Sequence, residues 1–313
     1  MSNLNEEIKE LESFIKELEN ISKDRIVDVS DEIRETKEKL LKLREKAYSN
    51  LTAWDKVEIA RNPLRPTALD YIDIIFDDFI ELHGDRQFKD DKSIVCGLAK
   101  IEDQNFTIVA EQKGRNTKEN IERNFGMPNP ESYRKGIRFM KQAEKFHRPI
   151  ITFIDTKGAY PGIGAEERGQ GEAIARSMME MANLKVPIIS IIIGEGSSGG
   201  ALALGVGDRI VMLENSIYSI LSPEGYASIL WKDGSKVKEA AEKMKLTAQD
   251  LKELNVIDKI IKEPAGGAQY DKEFVSKALK EYIVLEIEKL KDKDIENLVD
   301  ERYEKFRNMG EYQ

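Results

Sequence analysis

Cysteine and histidine are almost missing from this chain. Cys96 is the only cysteine among 313 residues, and His83 and His147 are the only histidines. A single cysteine excludes a disulfide within the chain. Three such residues, far apart in sequence, also do not supply the clustered ligands of a Cys/His zinc site. We therefore expect this chain to bind no metal of its own.

Long apolar runs are missing too. No stretch approaches the about 18 apolar residues of a membrane-spanning helix, and "MSNLNEEIKELESF" has no apolar core of a signal peptide. The net charge is −9, with 34% charged and 40% hydrophobic residues. An acidic chain of this kind matches neither nucleic acid nor an anionic membrane electrostatically. These features predict a globular, cytoplasmic protein that binds neither.

The first 50 residues carry a heptad pattern. Apolar positions step by 4, 3, 4 and 3 residues, first at Leu4, Ile8, Leu11, Ile15 and Leu18, then, with Thr36 among them, at Val29, Ile33, Thr36, Leu40 and Leu43. This stepping is typical of the a/d seam of a coiled coil. It predicts a helical hairpin over residues 1–50, with its turn in "SKDRIVDVSD". The hairpin either caps the rest of the protein or serves as an oligomerisation arm.

The remaining sequence alternates between strands and helices. The predicted strands are "SIVCGLAKI", "FTIVAEQK", "PIITFID", "VPIISIII", "RIVMLE" and "IYSILS". Helices are predicted from Thr67 through about Leu82, near 131–147, near 165–183, at "ALALGVG", from "PEGYASILW" and over 271–292. "RNPLRP", residues 61–66, predicts a linker because proline restricts its own backbone and that of the preceding residue. Buried strands followed by loops and helices predict an α/β fold with functional loops after the strands.

The segment "GEGSSGG" admits three interpretations. Gly194, Gly196 and Gly199 match the G-x-G-x-x-G pattern of dinucleotide-binding folds, and Glu214 stands 20 residues after the first glycine. However, only about two helical turns fit between Gly199 and Asp208. The glycines can also simply make tight turns. The third interpretation is a site for one negative oxygen.

Adjacent glycines at a strand-to-helix turn leave backbone N–H groups bare at the positive end of the helix dipole. Gly199 and Gly200 are in such a position, and "TKGAYPG" after the preceding strand offers a second donor from Gly158 or Ala159. Two such amides make an oxyanion hole, in which one donor contributes about 2.7–4 kcal/mol of transition-state stabilisation.

Five longer motifs, taken together, resemble one family. "ELHGDRQFKDD", "GRNTKENIERNFGMPNPESYRKG", "FIDTKGAYPGIGAEERGQGEAIARSM", "GEGSSGGALALGVGD" and "YSILSPEGYASILWKD" are similar to the α subunits of bacterial acetyl-CoA carboxylase carboxyltransferases, over about residues 55–262. The resemblance implies a crotonase-like fold, a spiral of β-β-α units, here with an N-terminal helical hairpin. We expect a hairpin over 1–50, a carboxyltransferase domain over 55–295 and a charged C-terminal tail over 296–313.

The resemblance also implies an activity and partners. Its members move a carboxyl group from N1 of carboxybiotin, held by a biotin carboxyl carrier protein, to the methyl carbon of acetyl-CoA, which gives malonyl-CoA. This is the first committed step of fatty acid biosynthesis. A β subunit completes the active site, binds most of the CoA and holds a zinc ribbon. An α2β2 hetero-oligomer that works with biotin carboxylase is the implied assembly.

Residue roles follow from the same resemblance. Amides near Gly199 and Gly200, with Gly158 or Ala159, stabilise the charge left on the ureido oxygen of biotin. N1 itself takes the methyl proton. The implied biotin contacts are Tyr160, Pro161, Gly162, Ser198, Ser222, Glu224 and Gly225. Lys157 stands where many members have proline, which leaves the rigidity of the neighbouring amides open.

Other interpretations remain open at this point. Glu166 and Glu167 are either a general acid/base pair or charges that complement a helix dipole. Arg123, Arg134, Lys135 and Arg138 either bind CoA phosphates or form a solvated face. The alternative functions are an autonomous crotonase-like acyl-CoA enzyme, a nicotinamide-dependent oxidoreductase and a scaffold for the β subunit.

Overall fold

The computed structural model describes residues 2–24 and 28–310. The turn predicted in "SKDRIVDVSD" includes residues 25–27 and so lies partly outside the described residues. Two compact units divide the chain: residues 1–52 with 264–266, and residues 53–263 with 267–313.

The first unit contains the predicted pair of helices. Helix α1 spans Ser2–Asp24 and helix α2 spans Ser30–Ala47. Its interior consists of Ile8, Ile15, Leu40 and Ala47, with Leu4, Leu11, Leu43 and Tyr48 packed against them. Lys37 pairs with Glu19 at 2.8 Å and Arg44 with Glu12 at 2.6 Å. The two helices run antiparallel, because the later residue of α2, Arg44, pairs with the earlier residue of α1, Glu12.

The second unit contains the remaining helices and all strands of the described chain. Its helices are α3 Ala53–Ala60, α4 Ala68–Ile75, α5 Thr117–Glu122, α6 Pro130–Lys145, α7 Ile163–Glu167, α8 Gln170–Asn183, α9 Ser198–Leu202, α10 Pro223–Tyr226, α11 Val237–Lys243, α12 Ala248–Glu253, α13 Lys272–Lys291 and α14 Ile295–Arg307. A π-helical turn, Ala227–Trp231, follows α10. None of the helices in residues 2–24 and 28–310 is long and apolar enough to cross a membrane.

One mixed sheet organises this unit. Its strands are β1 Asp77–Leu82, β2 Ile94–Ile101, β3 Gln104–Glu111, β4 Ile150–Thr156, β5 Ile188–Ser197, β6 Arg209–Leu213, β7 Ile217–Ser219 and β8 Lys259–Ile261. The order is β1-β2-β3-β4-β5-β6-β8, and β7 pairs with the end of β5. β2 is antiparallel to both of its neighbours, β1 and β3, whereas every pair from β3 onward is parallel.

Helices cover both faces of the sheet, because alternate residues of each strand point to opposite sides. One apolar cluster joins the strands to α4 and α13, through residues such as Phe153, Ile72 and Leu279. The other joins them to α6 and α8, through residues such as Ile154 and Met140. The predicted α/β class is therefore confirmed.

The helix predicted from Thr67 through about Leu82 is too long. Asp70 accepts from the Thr67 N–H at 2.8 Å, so the helix begins as predicted, but α4 ends at Ile75 and strand β1 follows. The aromatic and β-branched residues of this segment suit an edge strand, and pairing with β2 decides its conformation.

Two other segments also differ from expectation. The predicted linker 61–66 carries Arg65, which is buried and pairs with Glu263. The predicted charged tail, residues 296–313, includes most of helix α14 (Ile295–Arg307), in which Arg302 is fully buried against Asp208 at 2.8 Å. In both segments the partner of the arginine lies far away along the chain, so the local sequence did not indicate that the arginine is buried.

Candidate functional site

The predicted site residues meet at one edge of the sheet. β4, β5 and β7 are neighbouring parallel strands, so their carboxyl ends face the same way. The segments 157–162, 198–202 and 220–225 follow these strands directly. Each contains part of the predicted site, and such an edge is where ligands bind in α/β sheets.

The glycine segment begins inside the strand rather than after it. β5 continues through Ser197, and helix α9 starts at Ser198 and ends at Leu202, whereas a helix was predicted at "ALALGVG". Ser198 has a positive φ of 58°, so the chain turns sharply there. This turn places the first amides of α9 beside the loop after β4.

Gly200 allows the two loops to touch. A Cβ atom on Gly200 would lie 2.8 Å from the nitrogen of Ala159 and 2.8 Å from the carbonyl carbon of Gly158. No side chain fits at that distance without moving the backbone. The glycine is therefore required by the close approach of the Gly158–Ala159 peptide.

Three backbone N–H groups at this contact lack an internal acceptor. The Gly158 N–H donates to the hydroxyl of Thr156 at 3.0 Å, so it is not free. No group in residues 2–24 and 28–310 accepts from the Ala159 N–H. Gly199 and Gly200 lie in the first turn of α9, whose N–H groups have no partner within the helix, and no side chain caps this helix. Ala159, Gly199 and Gly200 are therefore the available donors.

The other predicted contacts lie on the same edge with defined local roles. Tyr160 donates its N–H to Pro128 at 3.0 Å, and its ring lies where a side chain on Gly162 would be. Pro161 is exposed and Ser198 is half-buried. These four residues line the rim formed by the loops after β4 and β5.

The segment after β7 is organised by a helix cap and an ion pair. The Ser222 hydroxyl accepts from the Gly225 N–H at 3.1 Å and caps α10. Glu224 pairs with Arg61 at 2.6 Å, and Arg61 also pairs with the buried Glu195 at 2.7 Å. Glu224 is thus tied to the end of β5. The hydrogen bonds and charges of the two glutamates outweigh the burial of the guanidinium, so the pKa of Arg61 is raised.

Sequence reasoning missed a polar cluster behind the glycines. Asp155, at the end of β4, accepts from the Glu195 N–H at 2.9 Å and pairs with Lys113. Its own N–H donates to Glu111 at 3.0 Å. Burial raises the pKa of Glu111 well above its usual value, and this outweighs the hydrogen bond from the Asp155 N–H, which lowers the pKa; the charge of the Asp155 carboxylate raises it further. The signal was visible in the sequence as acids that end otherwise apolar strands.

The dinucleotide interpretation does not fit this geometry. Helix α9 has five residues, too few for the helix that follows a dinucleotide fingerprint. Glu214, the acid expected to bind a ribose, instead pairs with Lys262 at 2.6 Å and accepts from the Glu263 N–H at 3.1 Å.

The structure also shows the surroundings of the two glutamates of α7 and of the basic residues on α6. Glu166 and Glu167 are exposed on α7, and Glu166 lies in its first turn, where acids complement the dipole. The basic residues instead hold the loop after β1, because Arg134 pairs with Asp85 at 3.0 Å and Lys135 pairs with Asp90 at 2.7 Å. The role of the four basic residues toward CoA phosphates stays a prediction.

Among the described residues, no group of three or more His, Cys, Asp or Glu side chains is placed to hold a metal ion.

The fold and the paired strand-end loops define a crotonase-like carboxyltransferase domain. Transcarboxylase 12S, solved with methylmalonyl-coenzyme A and methylmalonic acid bound, matches this chain with a TM-score of 0.57 at 18% identity. The match covers 73% of this chain and 44% of that one, so this chain spans less than half of the transcarboxylase chain. At this identity the likeness establishes the fold alone.

Residues 1–310 match the family described as acetyl co-enzyme A carboxylase carboxyltransferase-like, and the chain belongs to that family. An acetyl-coenzyme A carboxylase carboxyl transferase subunit alpha from Halalkalibacterium halodurans is 54% identical over 99% of this chain and 93% of its own length. The same subunit from Clostridium acetobutylicum is 60% identical over 84% of this chain and 96% of its own length. The resemblance seen in the motifs is confirmed, and with it the carboxyltransferase function rather than the alternatives.

Proposed function

We propose that this chain supplies the biotin-facing half of a carboxyltransferase site. In the proposed reaction, the carboxyl group on N1 of carboxybiotin moves to the methyl carbon of acetyl-CoA, and the methyl proton ends on N1. The observation that carries this proposal is the contact of Gly200 with the Gly158–Ala159 peptide, which brings free amides from two loops together. Family membership supports the choice of reaction.

The free backbone N–H groups suit an oxygen atom that becomes negatively charged during the reaction. Carboxybiotin supplies the carboxyl group and a ureido oxygen that gains charge as this group leaves. Ala159 donates from the loop after β4, and Gly199 and Gly200 donate from the first turn of α9. Donors of this kind accelerate a reaction because they bind the developing charge better than the ground state.

The rigidity of these donors follows from their surroundings. Thr156 holds Gly158 through its hydroxyl, which both accepts from the Gly158 N–H and donates to the Gly126 carbonyl at 2.6 Å. Helix α9 contains the buried Ala201, and the buried Ala203 and Leu204 follow it. These contacts hold the amides in place before substrate arrives.

Exposed apolar side chains support a protein partner at this edge. Ile163 is 80% exposed beside the loop after β4, and Ile220 is 76% exposed after β7. Ile229 and Leu230 are exposed on the π-helical turn that follows α10. Apolar side chains in such positions mark interaction sites. We assign this edge to the β subunit, which would bring the CoA, with the carrier protein delivering carboxybiotin.

The remaining parts of the assembly extend this proposal. An α2β2 complex with zinc on the β subunit, working with biotin carboxylase, is the arrangement that we propose. The cytoplasmic location expected from the sequence stays a prediction.

The test is the reverse half-reaction, malonyl-CoA-dependent carboxylation of biocytin. We expect activity from the chain mixed with the β subunit and none from the chain alone. Gly200→Ala should lower kcat by about 100- to 1,000-fold, because the new methyl group displaces the donors. Gly171→Ala is the matched control, since a Cβ atom there meets nothing within 4 Å.

Three results would contradict the proposal. Unchanged activity of Gly200→Ala in an assembled complex would reject the oxyanion hole. Activity of the chain alone would reject the shared site and favour an autonomous enzyme. A folded but inactive mixture of wild-type subunits would reject the reaction itself.

A further inference from the structure

The parallel pairing of β4 and β5 is interrupted just before the site. Ile154 pairs with Ile192, but the next pair is Thr156 with Gly196. β4 advances two residues over this interval and β5 advances four, so residues 193–195 form a bulge in β5. A bulge changes the direction in which its strand continues. Here the strand continues directly into Ser198–Gly200.

The polar backbone groups of this bulge are satisfied by two side chains. Asp155 accepts from the Glu195 N–H at 2.9 Å, and Arg65 donates from Nε to the Ile193 carbonyl at 2.7 Å. Asp155 is itself held by Lys113, and Arg65 by Glu263. A carboxylate and a guanidinium thus replace the neighbouring strand where the backbone ladder is broken.

Gly194 leaves the space that this arrangement needs. A Cβ atom on Gly194 would lie 2.4 Å from Oδ1 of Asp155, the same oxygen that accepts from Glu195. The first glycine of "GEGSSGG" therefore makes room for the carboxylate, whereas Gly200 makes room for the neighbouring peptide.

We propose that Asp155 is the positioning residue of the oxyanion hole. Its carboxylate fixes the bulge in β5, and the bulge sets where Gly199 and Gly200 lie relative to Ala159. Asp155 also lies near the end of β4, only four residues before Ala159, so one side chain connects the two donor segments. This inference rests on the proposed function, and it adds to that function a residue that works through the backbone without touching substrate.

The experiment compares Asp155 with Asp208 in the intact complex with the β subunit. Both carboxylates are buried, both accept a backbone N–H of β5 and both pair with a cation. Asp208, however, accepts from Ile188 at the opposite end of the strand. Asp208→Ala is therefore the matched control for Asp155→Ala.

We expect Asp155→Ala to lower kcat by about 100-fold, the loss that a displacement of about 1 Å causes, with the KM for malonyl-CoA unchanged. Asp155→Asn should lose less, because its amide oxygen still accepts from Glu195. Asp208→Ala should keep the wild-type kcat per folded complex while lowering the melting temperature.

Hydrogen exchange gives a second measurement that does not depend on activity. The Glu195 amide should exchange at least about tenfold faster in Asp155→Ala, and at the wild-type rate in Asp208→Ala. Unchanged kcat of Asp155→Ala in an active wild-type background would overturn the proposal, as would equal losses of kcat in the two alanine variants. An inactive wild-type complex would instead count against the proposed function, while the exchange rates would still report on the bulge.

Discussion

At each end of strand β5 a buried aspartate accepts a backbone N–H of the strand and pairs with a cation. The two ends differ in how many buried polar groups lack a hydrogen-bond partner. At the amino end, Asp208 accepts from Ile188 at 2.7 Å and pairs with Arg302. Arg302 also donates to the carbonyls of Met181, Leu184 and Val186. This side chain therefore has a partner for each of its nitrogen atoms.

At the carboxyl end, several polar groups have no partner in the structure. The Ser197 hydroxyl and Oε1 of Glu111 are buried and make no hydrogen bond within residues 2–24 and 28–310, and the N–H groups of Ala159, Gly199 and Gly200 have no acceptor there. Lys113 is 19% exposed, whereas Arg302 is fully buried. Unsatisfied groups are costly, so they persist where function requires them. We propose that the buried ion pair at the amino end stabilises the fold and that the one at the carboxyl end positions the donors.

The largest effect that we expect from this comparison is on stability. Arg302→Leu removes the cation and leaves Asp208 charged and buried, which should lower the free energy of unfolding by about 3–5 kcal/mol. Urea denaturation checks this, with Arg302→Lys as the variant that keeps the charge. A loss below 1 kcal/mol would show that the amino end does not depend on this pair.

The carboxyl end should also respond to pH. Burial raises the pKa of Glu111 above the ordinary value of 4.5, so the folded protein holds a proton there that the unfolded chain releases as pH rises. Wild-type stability supplied by this group is complete below pH 4.5 and is lost as pH rises through the folded pKa. Relative to wild type, Glu111→Gln should gain up to about 1.4 kcal/mol per pH unit in that window. Thermal unfolding at several pH values measures it, and parallel curves would contradict it.

The smallest effect separates two serines of β5. Ser190 donates its hydroxyl to the Leu204 carbonyl at 2.9 Å, whereas Ser197 has no partner. Ser190→Ala should cost about 1 kcal/mol, and Ser197→Ala should be neutral or stabilising, because it removes an unsatisfied group. Chemical denaturation of both variants decides this. An equal loss in the two would mean that Ser197 is satisfied in solution.

The sequence predicted the parts of the fold that rest on local pattern. The apolar runs of β4 and β5 and the glycines after them indicated buried strands with functional loops, and Gly199, Gly200 and Ala159 lie where that interpretation needs them. The donor role of these amides remains a prediction. The heptad steps likewise indicated two helices in the first unit.

What the sequence did not predict depends on distant partners. Arg61 contacts Glu195 across 134 positions, and Arg302 contacts Asp208 across 94. No periodicity connects such residues, so their segments looked like a linker and a tail. Asp155 and Glu195 were inside the recognised motifs. The bulge at which they form a hydrogen bond, however, can be seen only from the pairing of β4 with β5.

The contacts of Arg65 also have a consequence for the order in which parts of the chain can fold during synthesis. Arg65 leaves the ribosome long before its partners, because the Ile193 carbonyl follows 128 positions later and Glu263 follows 198 positions later. Contacts this distant form only after the intervening chain has been ordered. A nascent chain that stops before residue 263 thus carries both glycine loops while Arg65 lacks its carboxylate. The Arg65–Glu263 pair therefore forms only after residue 263 has been synthesised.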